Sequence, residues 1–381
     1  MSSLIAAISV LVIFLVLLDA FEAILLPRRV TRDFRLARVF YVYSWTPWAA
    51  IARRMKPGKR REMFLSFFGP LSVLALLTLW AIGLITGFAL LHWSIGSNLH
   101  APDDPPRLSV YYYLSGVTFF TLGFGDVTPL DPAGRFVAVL EAGIGFGFLA
   151  VMISYLPVLY QSFSRREATI ALLDARAGSP PTAAQLLTRL AQNHNFTKLD
   201  RFLEEWERWA AEVLESHISL PMLSYYRSQH DNQSWLAALT VILDTSSLVI
   251  AGVKGTDAYQ AQLTFAMARH VVVDLSQVYR VPPIEPDPDR LPESSLKRLR
   301  EDLCAAGLEL REETVNLKLA ELRGMYEPFL NSLSRHFLLP IPPVYAEKAP
   351  VDNWQTSAWM RRTSGIGTLA LADPGDDHVD R

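Results

Sequence analysis

Cysteine is nearly absent. The single residue, Cys304, rules out an intramolecular disulfide and with it the secreted disulfide scaffolds. In a helical pattern it reads as a small core hydrophobe, not a nucleophile. Charge is sparse as well: Asp, Glu, Lys and Arg make up 19% of the 381 residues, while half are hydrophobic. No glycine-rich phosphate loop occurs. Gly252–Val253–Lys254–Gly255 lacks the following Lys-Ser/Thr pair and a preceding strand. The histidines, including His194, His217, His230 and His270, show no metal-ligand spacing, and no Ser/His/Asp set stands out. No internal repeat is evident. These absences argue against an enzyme and against a bound cofactor.

Three long apolar runs are present instead: Leu4–Leu26, Ser66–His92 and Phe136–Tyr160. Each is long enough to cross a hydrocarbon core of about 30 Å as a helix. The first lacks the basic leader of a cleaved signal peptide. Its carboxylates Asp19 and Glu22 are expected at headgroup level, paired with Arg28 or Arg29, since charge inside a span is costly. Residues 27–62 are rich in arginine and lysine, so by the positive-inside rule this loop is cytoplasmic and the N-terminus lies outside. Within it, Phe40, Tyr41, Tyr43, Trp45 and Trp48 suit a segment in the membrane interface, and the charge run is not read as binding nucleic acid. Gly83 and Gly87 form a small-xxx-small pair that favours close helix contact. Trp93–Leu108 carries no lysine and fits the outer side. Arg165 and Arg166 follow the third run and return the chain to the cytoplasm. No run before residue 108 carries regularly spaced arginines, which argues against an arginine-ladder voltage sensor.

Between the second and third runs, Ser109–Phe120 can form a helix too short to span. It leads into Thr121–Leu122–Gly123–Phe124–Gly125–Asp126. Glycines at alternate positions allow left-handed backbone, so successive carbonyls can face one axis and replace a cation's hydration shell. The preceding helix would aim the negative end of its dipole inward. Irregular backbone at membrane depth is tolerated where it is buried or lines water.

These residues resemble the T-x-G-[YF]-G-D filter of the potassium-channel pore family, in which rings of backbone carbonyls select the ion. Pro129 and Gly134–Val139 resemble the start of the inner helix of bacterial two-helix potassium channels. The likeness is closest over 108–150, and the two-span framework extends it to 66–162. The resemblance implies an all-α membrane protein built as a homotetramer around one pore. It places the carbonyls of Thr121, Leu122, Gly123 and Phe124 at potassium sites, with Gly125 completing the filter. Asp126 falls at the outer mouth, Tyr113 at the position of the donor that braces it, and Gly145 at the inner-helix hinge.

The chain also departs from the family pattern. Leu122 replaces valine or isoleucine, and Phe124 lacks the tyrosine hydroxyl. Leu114 lacks the donor that would meet that hydroxyl, and Val117 stands where some relatives carry an acid. Missing both ends of one hydrogen bond leaves an apolar contact, not an orphan. Weaker lateral support predicts faster inactivation; prolonged single-channel openings in low external potassium would contradict it. Glu141, in the third run, either titrates behind the filter or pairs with a neighbouring helix. Pro157 either bends that helix or ends it.

From Ser162 onward charge and apolar residues alternate at helical spacing. Gly178–Pro181 reads as a linker and Thr182 as an N-cap. Helices are expected over Thr197–His217, Ser234–Val253 and Tyr259–Tyr279, with one or two more over Glu293–Phe337. Ser234–Val253 is apolar enough to be weighed as a fourth span; Asp244–Ser247 at its centre favours a buried core helix. The expected organisation is an N-terminal span (1–27), a basic interfacial linker (28–65) and a pore domain (66–162). A helical cytoplasmic domain (163–340) and an unstructured tail (341–381) follow. Within the pore domain the outer helix is 66–92, the pore helix 109–120, the filter 121–126 and the inner helix 134–160. The functional expectation is passive potassium conduction across a plasma (inner) membrane. The competing expectation is a membrane-anchored scaffold or signalling protein with a vestigial pore.

Overall fold

Long apolar sequence without polar interruption produces long helices, and proline or glycine clusters separate them. The computed structural model describes residues 2–26, 35–101, 106–178, 180–191, 196–230, 233–253, 258–308 and 315–346. In chain order these form α1 (Ser2–Ile24), α2 (Leu36–Arg54), α3 (Lys59–Ser94), β1 (Leu99–His100), α4 (Leu108–Phe119), β2 (Thr128–Pro129) and α5 (Pro132–Ala177). Then come α6 (Ala183–Ala191), α7 (Phe196–Ser219), a 3₁₀ turn (Pro221–Tyr225), α8 (Trp235–Gly252), α9 (Tyr259–Val278), α10 (Glu293–Ala305), α11 (Val315–Gly324) and α12 (Glu327–Phe337). The helical expectation holds, with one addition: β1 and β2 form a short antiparallel pair, Leu99 opposite Pro129 and His100 opposite Thr128. The chain divides into two units, residues 1–50 with 67–161, and residues 51–66 with 162–381.

In the first unit, α1 lies against α3 at the two glycines of the small-residue pair. A Cβ on Gly87 would stand 2.6 Å from Ile13 Cγ1, and one on Gly83 3.0 Å from Val16 Cγ2. Absence of side chains there is what admits α1. Ile13, Val16, Leu76, Trp80, Leu84, Phe88, Phe119 and Phe148 share one apolar core. Asp19 is 1% exposed, and its Oδ2 accepts from Trp80 Nε1 and from the backbone N–H of Ala37, each at 2.9 Å. The carboxylate thus meets the positive end of α2 and fixes the entry to that helix. Glu22 lies 3.7 Å from Arg35. Arg28 and Arg29, the partners expected for both acids, lie outside the described residues. The aromatics of α2 pack on α3: Trp45, Trp48 and Tyr41 surround Phe68 with centroids 4.8, 5.7 and 6.4 Å away.

In the second unit α8 is buried almost all round. It is long and apolar enough to cross a membrane, but its surface is covered by helices of its own unit, the situation of a core helix. Its polar centre has internal partners: Asp244 accepts from Arg290 and from Tyr326. Ser234 caps it by accepting from Ala237 N–H at 3.0 Å, and Thr182 accepts from Gln185 N–H at 3.3 Å ahead of α6. Arg166, on α5, is buried and donates to the carbonyls of Leu223 and Tyr226. His217 beside it is held far below the ordinary imidazole range by burial and by the Arg166 charge. Arg227 donates to the carbonyls of Phe337 and Leu338, placing a cation on the C-terminus of α12.

Three expectations are corrected and one alternative is removed. Cys304 is exposed, because α10 turns that face away from the unit. Pro157, left open between a bend and an end, lies inside α5, which continues to Ala177, since a long helix can lose one donor and carry on. Glu293–Phe337 forms three helices, not one or two. The first residues of the expected tail are packed: Val344 is 1% exposed, Pro342 O accepts from Arg290, and Tyr345 donates to Asp302. The rest of that tail, 347–381, lies outside the described residues, as do His194, Lys254 and Gly255.

Candidate functional site

The site begins where α4 ends. Thr121 N–H bonds to Thr118 O at 3.0 Å, and Leu122 N–H bonds to Val117 O at 2.9 Å. This is the paired hydrogen bonding of a Schellman C-cap, which requires a left-handed residue after the cap. That residue is Thr121, with φ +55°. A β-branched side chain there costs roughly 1–2 kcal/mol, so the cap and the packing under it must hold Thr121 in place. Strain of this kind gathers at functional sites.

The handedness then alternates. Gly123 has φ +59° and Gly125 has φ +79°, while Leu122 and Phe124 between them remain at negative φ. Alternation of hand allows successive carbonyls to collect along one side of the strand. In this single chain the stretch is open: Leu122 is 54% and Phe124 66% exposed.

The flanks fix both ends. Tyr113 Oη, on α4, donates to Asp126 Oδ2 at 2.8 Å. Asp131 caps α5 with one oxygen, accepting Gly134 N–H at 2.7 Å, and accepts Asn98 N–H with the other at 2.8 Å. Pro132 at the first helical position completes a standard helix start. The bonds to Asn98 and the β1–β2 pair tie the descending loop after α3 to the ascending loop before α5. Arg135 Nε donates to Pro129 O across the same turn.

Behind the strand, Gly145 of α5 touches the backbone of α4. A Cβ there would lie 2.2 Å from Phe119 O and 3.0 Å from Phe119 Cα. Gly143 and Gly147 face open space in the chain. The hinge position implied by the resemblance is therefore also a close-packing position, and α5 is helical through it. Glu141 is fully buried, with its Oε2 3.8 Å from His92 Nε2 on α3; it faces a neighbouring helix, one of the two alternatives its sequence position left open.

Sequence reasoning missed four residues here: His92, Ser97, Ser115 and Asp131. His92 Nδ1 lies 3.1 Å from Ser97 Oγ, and Ser97 O accepts from Tyr111 Oη. The Asp131–Pro132 pair is a legible signal, since an acid before proline ahead of an apolar run is a helix start. His92 and Ser115 carry no signal, because each is a single polar residue in an apolar run.

Among known proteins, residues 75–161 match a family model described as an ion channel. Protein LctB of Bacillus caldotenax is 35% identical over 94 residues, spanning 22% of this chain and 69% of that protein. Two pore potassium channel c of Oryza sativa subsp. japonica is 35% identical over 81 residues, 21% of this chain and 17% of that protein. The uncharacterized membrane protein YdjJ of Bacillus subtilis is 22% identical over 291 residues, 76% of this chain and 80% of that protein. A match of that length necessarily runs beyond the pore into the helical part after Ser162. No solved structure matches the chain.

Proposed function

This chain belongs to the ion-channel family, and from that premise we propose that it is a passive potassium-selective channel assembled from four copies around one axis. The observation that carries the reading is the left-handed backbone at Thr121, Gly123 and Gly125. It supports assigning the carbonyls of Thr121, Leu122, Gly123 and Phe124 to the ion, with the Thr121 hydroxyl as the innermost ring. One chain supplies one such strand and leaves it exposed, which is the reason for proposing that further copies complete the ring. Asp126, oriented by Tyr113, would raise the local cation concentration at the outer mouth. The chain would lie in a plasma (inner) membrane with α1, α3 and α5 as spans, its N-terminus outside and the second unit in the cytoplasm.

Ion flux from liposomes holding the purified full chain tests this. Potassium flux should exceed sodium flux, and Gly123→Asp should abolish it, because an L-residue at φ +59° is strained and its carboxylate intrudes on the strand. No flux from assembled tetramers, or flux untouched by the substitution, would overturn the assignment.

A further inference from the structure

Behind the pore helix three helices each bury one polar side chain at the same place. His92 comes from the last turn of α3, Ser115 from α4 and Glu141 from α5, and all three are 0% exposed. His92 Nε2, Ser115 Oγ and both Glu141 carboxyl oxygens have no hydrogen-bond partner of ordinary geometry. Buried polar groups are nearly always satisfied, and a cluster of orphans asks what completes it. Packing alone does not explain it, since an apolar residue at any of these positions would cost less.

We propose that His92 and Glu141 form a proton-binding site behind the filter, holding one exchangeable proton between Nε2 and Oε2. With one proton the pair is neutral overall, whether written as imidazole with carboxylic acid or as imidazolium with carboxylate. A second proton leaves a net positive charge in an apolar place, and loss of the first leaves a net negative one. Both are strongly disfavoured away from water, so the pair holds one proton until the outer solution forces a change.

Ser97, itself buried, links His92 to the exposed residue Asn98. His92 Nδ1 meets Ser97 Oγ at 3.1 Å, and the adjacent Asn98 is bonded to Asp131 at the outer loop. The other titratable groups facing the pair are Tyr111 from α4, whose hydroxyl bonds Ser97 O, and Asp131 from the turn before α5. Ser115 faces the Glu141 carboxyl and belongs to α4, the helix whose carbonyls at Val117 and Thr118 hold Leu122 and Thr121. Uptake of a second proton would therefore place positive charge, and a shifted α4, directly against the device that positions the filter.

This inference rests on the channel reading, so its test includes a readout that does not need conduction. Infrared difference spectra of the reconstituted full chain, taken as outer pH is lowered from the alkaline range, where the pair has lost its proton, to the acid range, where it holds two, should show a protonated-carboxyl band. That band should vanish in Glu141→Gln and shift but persist in Glu141→Asp. Potassium flux should fall several-fold on outer acidification in the wild type, and this dependence should be lost in Glu141→Gln and in His92→Gln. If the chain carries no flux, the channel reading fails while the infrared band still decides this one. Absence of a carboxyl band removed by Glu141→Gln, or flux–pH curves that coincide for wild type and Glu141→Gln, would overturn the site.

Discussion

Gly145→Ala is expected to lower potassium flux by at least about tenfold, the equivalent of roughly 1.4 kcal/mol. The added methyl would stand 2.2 Å from Phe119 O, and the atom it meets is backbone that cannot rotate aside. Restoring ordinary contact near 3.5 Å requires α4 and α5 to part by roughly 1 Å. Phe119 cannot retreat, because its ring is fully buried and packs on Phe148 at a centroid distance of 5.8 Å. The displacement would pass to Thr121, two residues on, where a strained left-handed threonine is held by the two backbone hydrogen bonds of the α4 cap and the packing beneath them. Overpacking of this kind costs about 1–3 kcal/mol before any effect on the ion path. Gly143→Ala and Gly147→Ala, which meet nothing in the chain, serve as controls in the same liposome flux assay. A Gly145→Ala channel that conducts like the wild type would show that this contact does not position the filter.

Much of the first unit is legible in the sequence because its signals are local. The apolar runs, the short helix before the filter and the alternating glycines each follow from spacing within about a dozen residues. Tyr113 and Asp126 can be paired from the resemblance, and they lie in hydrogen-bond contact. What escapes is tertiary. The partners of Asp19 are not legible, because sequence cannot show that Trp80, 61 positions away, and the start of α2 converge on it. The close approach of Gly145 to Phe119 is not legible, because sequence cannot show the backbone it touches. Cys304 reads as buried because sequence does not show which face of α10 meets the rest of the unit, and a thiol fits either face. The second unit is legible as a set of helices but not as a packing arrangement, since its buried charges sit on elements far apart in the chain.

Those buried charges carry the largest expected loss of stability. Arg290 donates from Nη2 to Asp244 Oδ2 at 2.6 Å and from Nη1 to Glu327 Oε1 at 2.8 Å, and both nitrogens Nε and Nη2 bond Pro342 O. Arg323 binds the other side of Glu327 and also reaches Asp289. Tyr326 donates to Asp244 at 2.6 Å; burial and that carboxylate push the phenol well above its ordinary range, so it stays a donor. Arg290→Met keeps the volume of the stem and removes the fork. It leaves Asp244, 1% exposed, with one partner and Glu327 with Arg323 alone. Breaking a buried pair from one side costs about 3–5 kcal/mol, because the remaining charge is stranded. The loss should appear as faster hydrogen exchange across α8 and α12 in the full chain. It should also depend on pH with a definite sign. Burial already holds Glu327 above the ordinary carboxylate range, and Arg290 is the cation that offsets this most, so in Arg290→Met the folded state binds more protons there, and stability returns as pH falls toward the unfolded carboxyl range. Exchange in Arg290→Met should therefore be less accelerated at pH 5 than at pH 8 after correction for intrinsic rates. Equal acceleration at both would mean that Arg290 holds these helices by packing and its bonds to Pro342, not by neutralising Glu327.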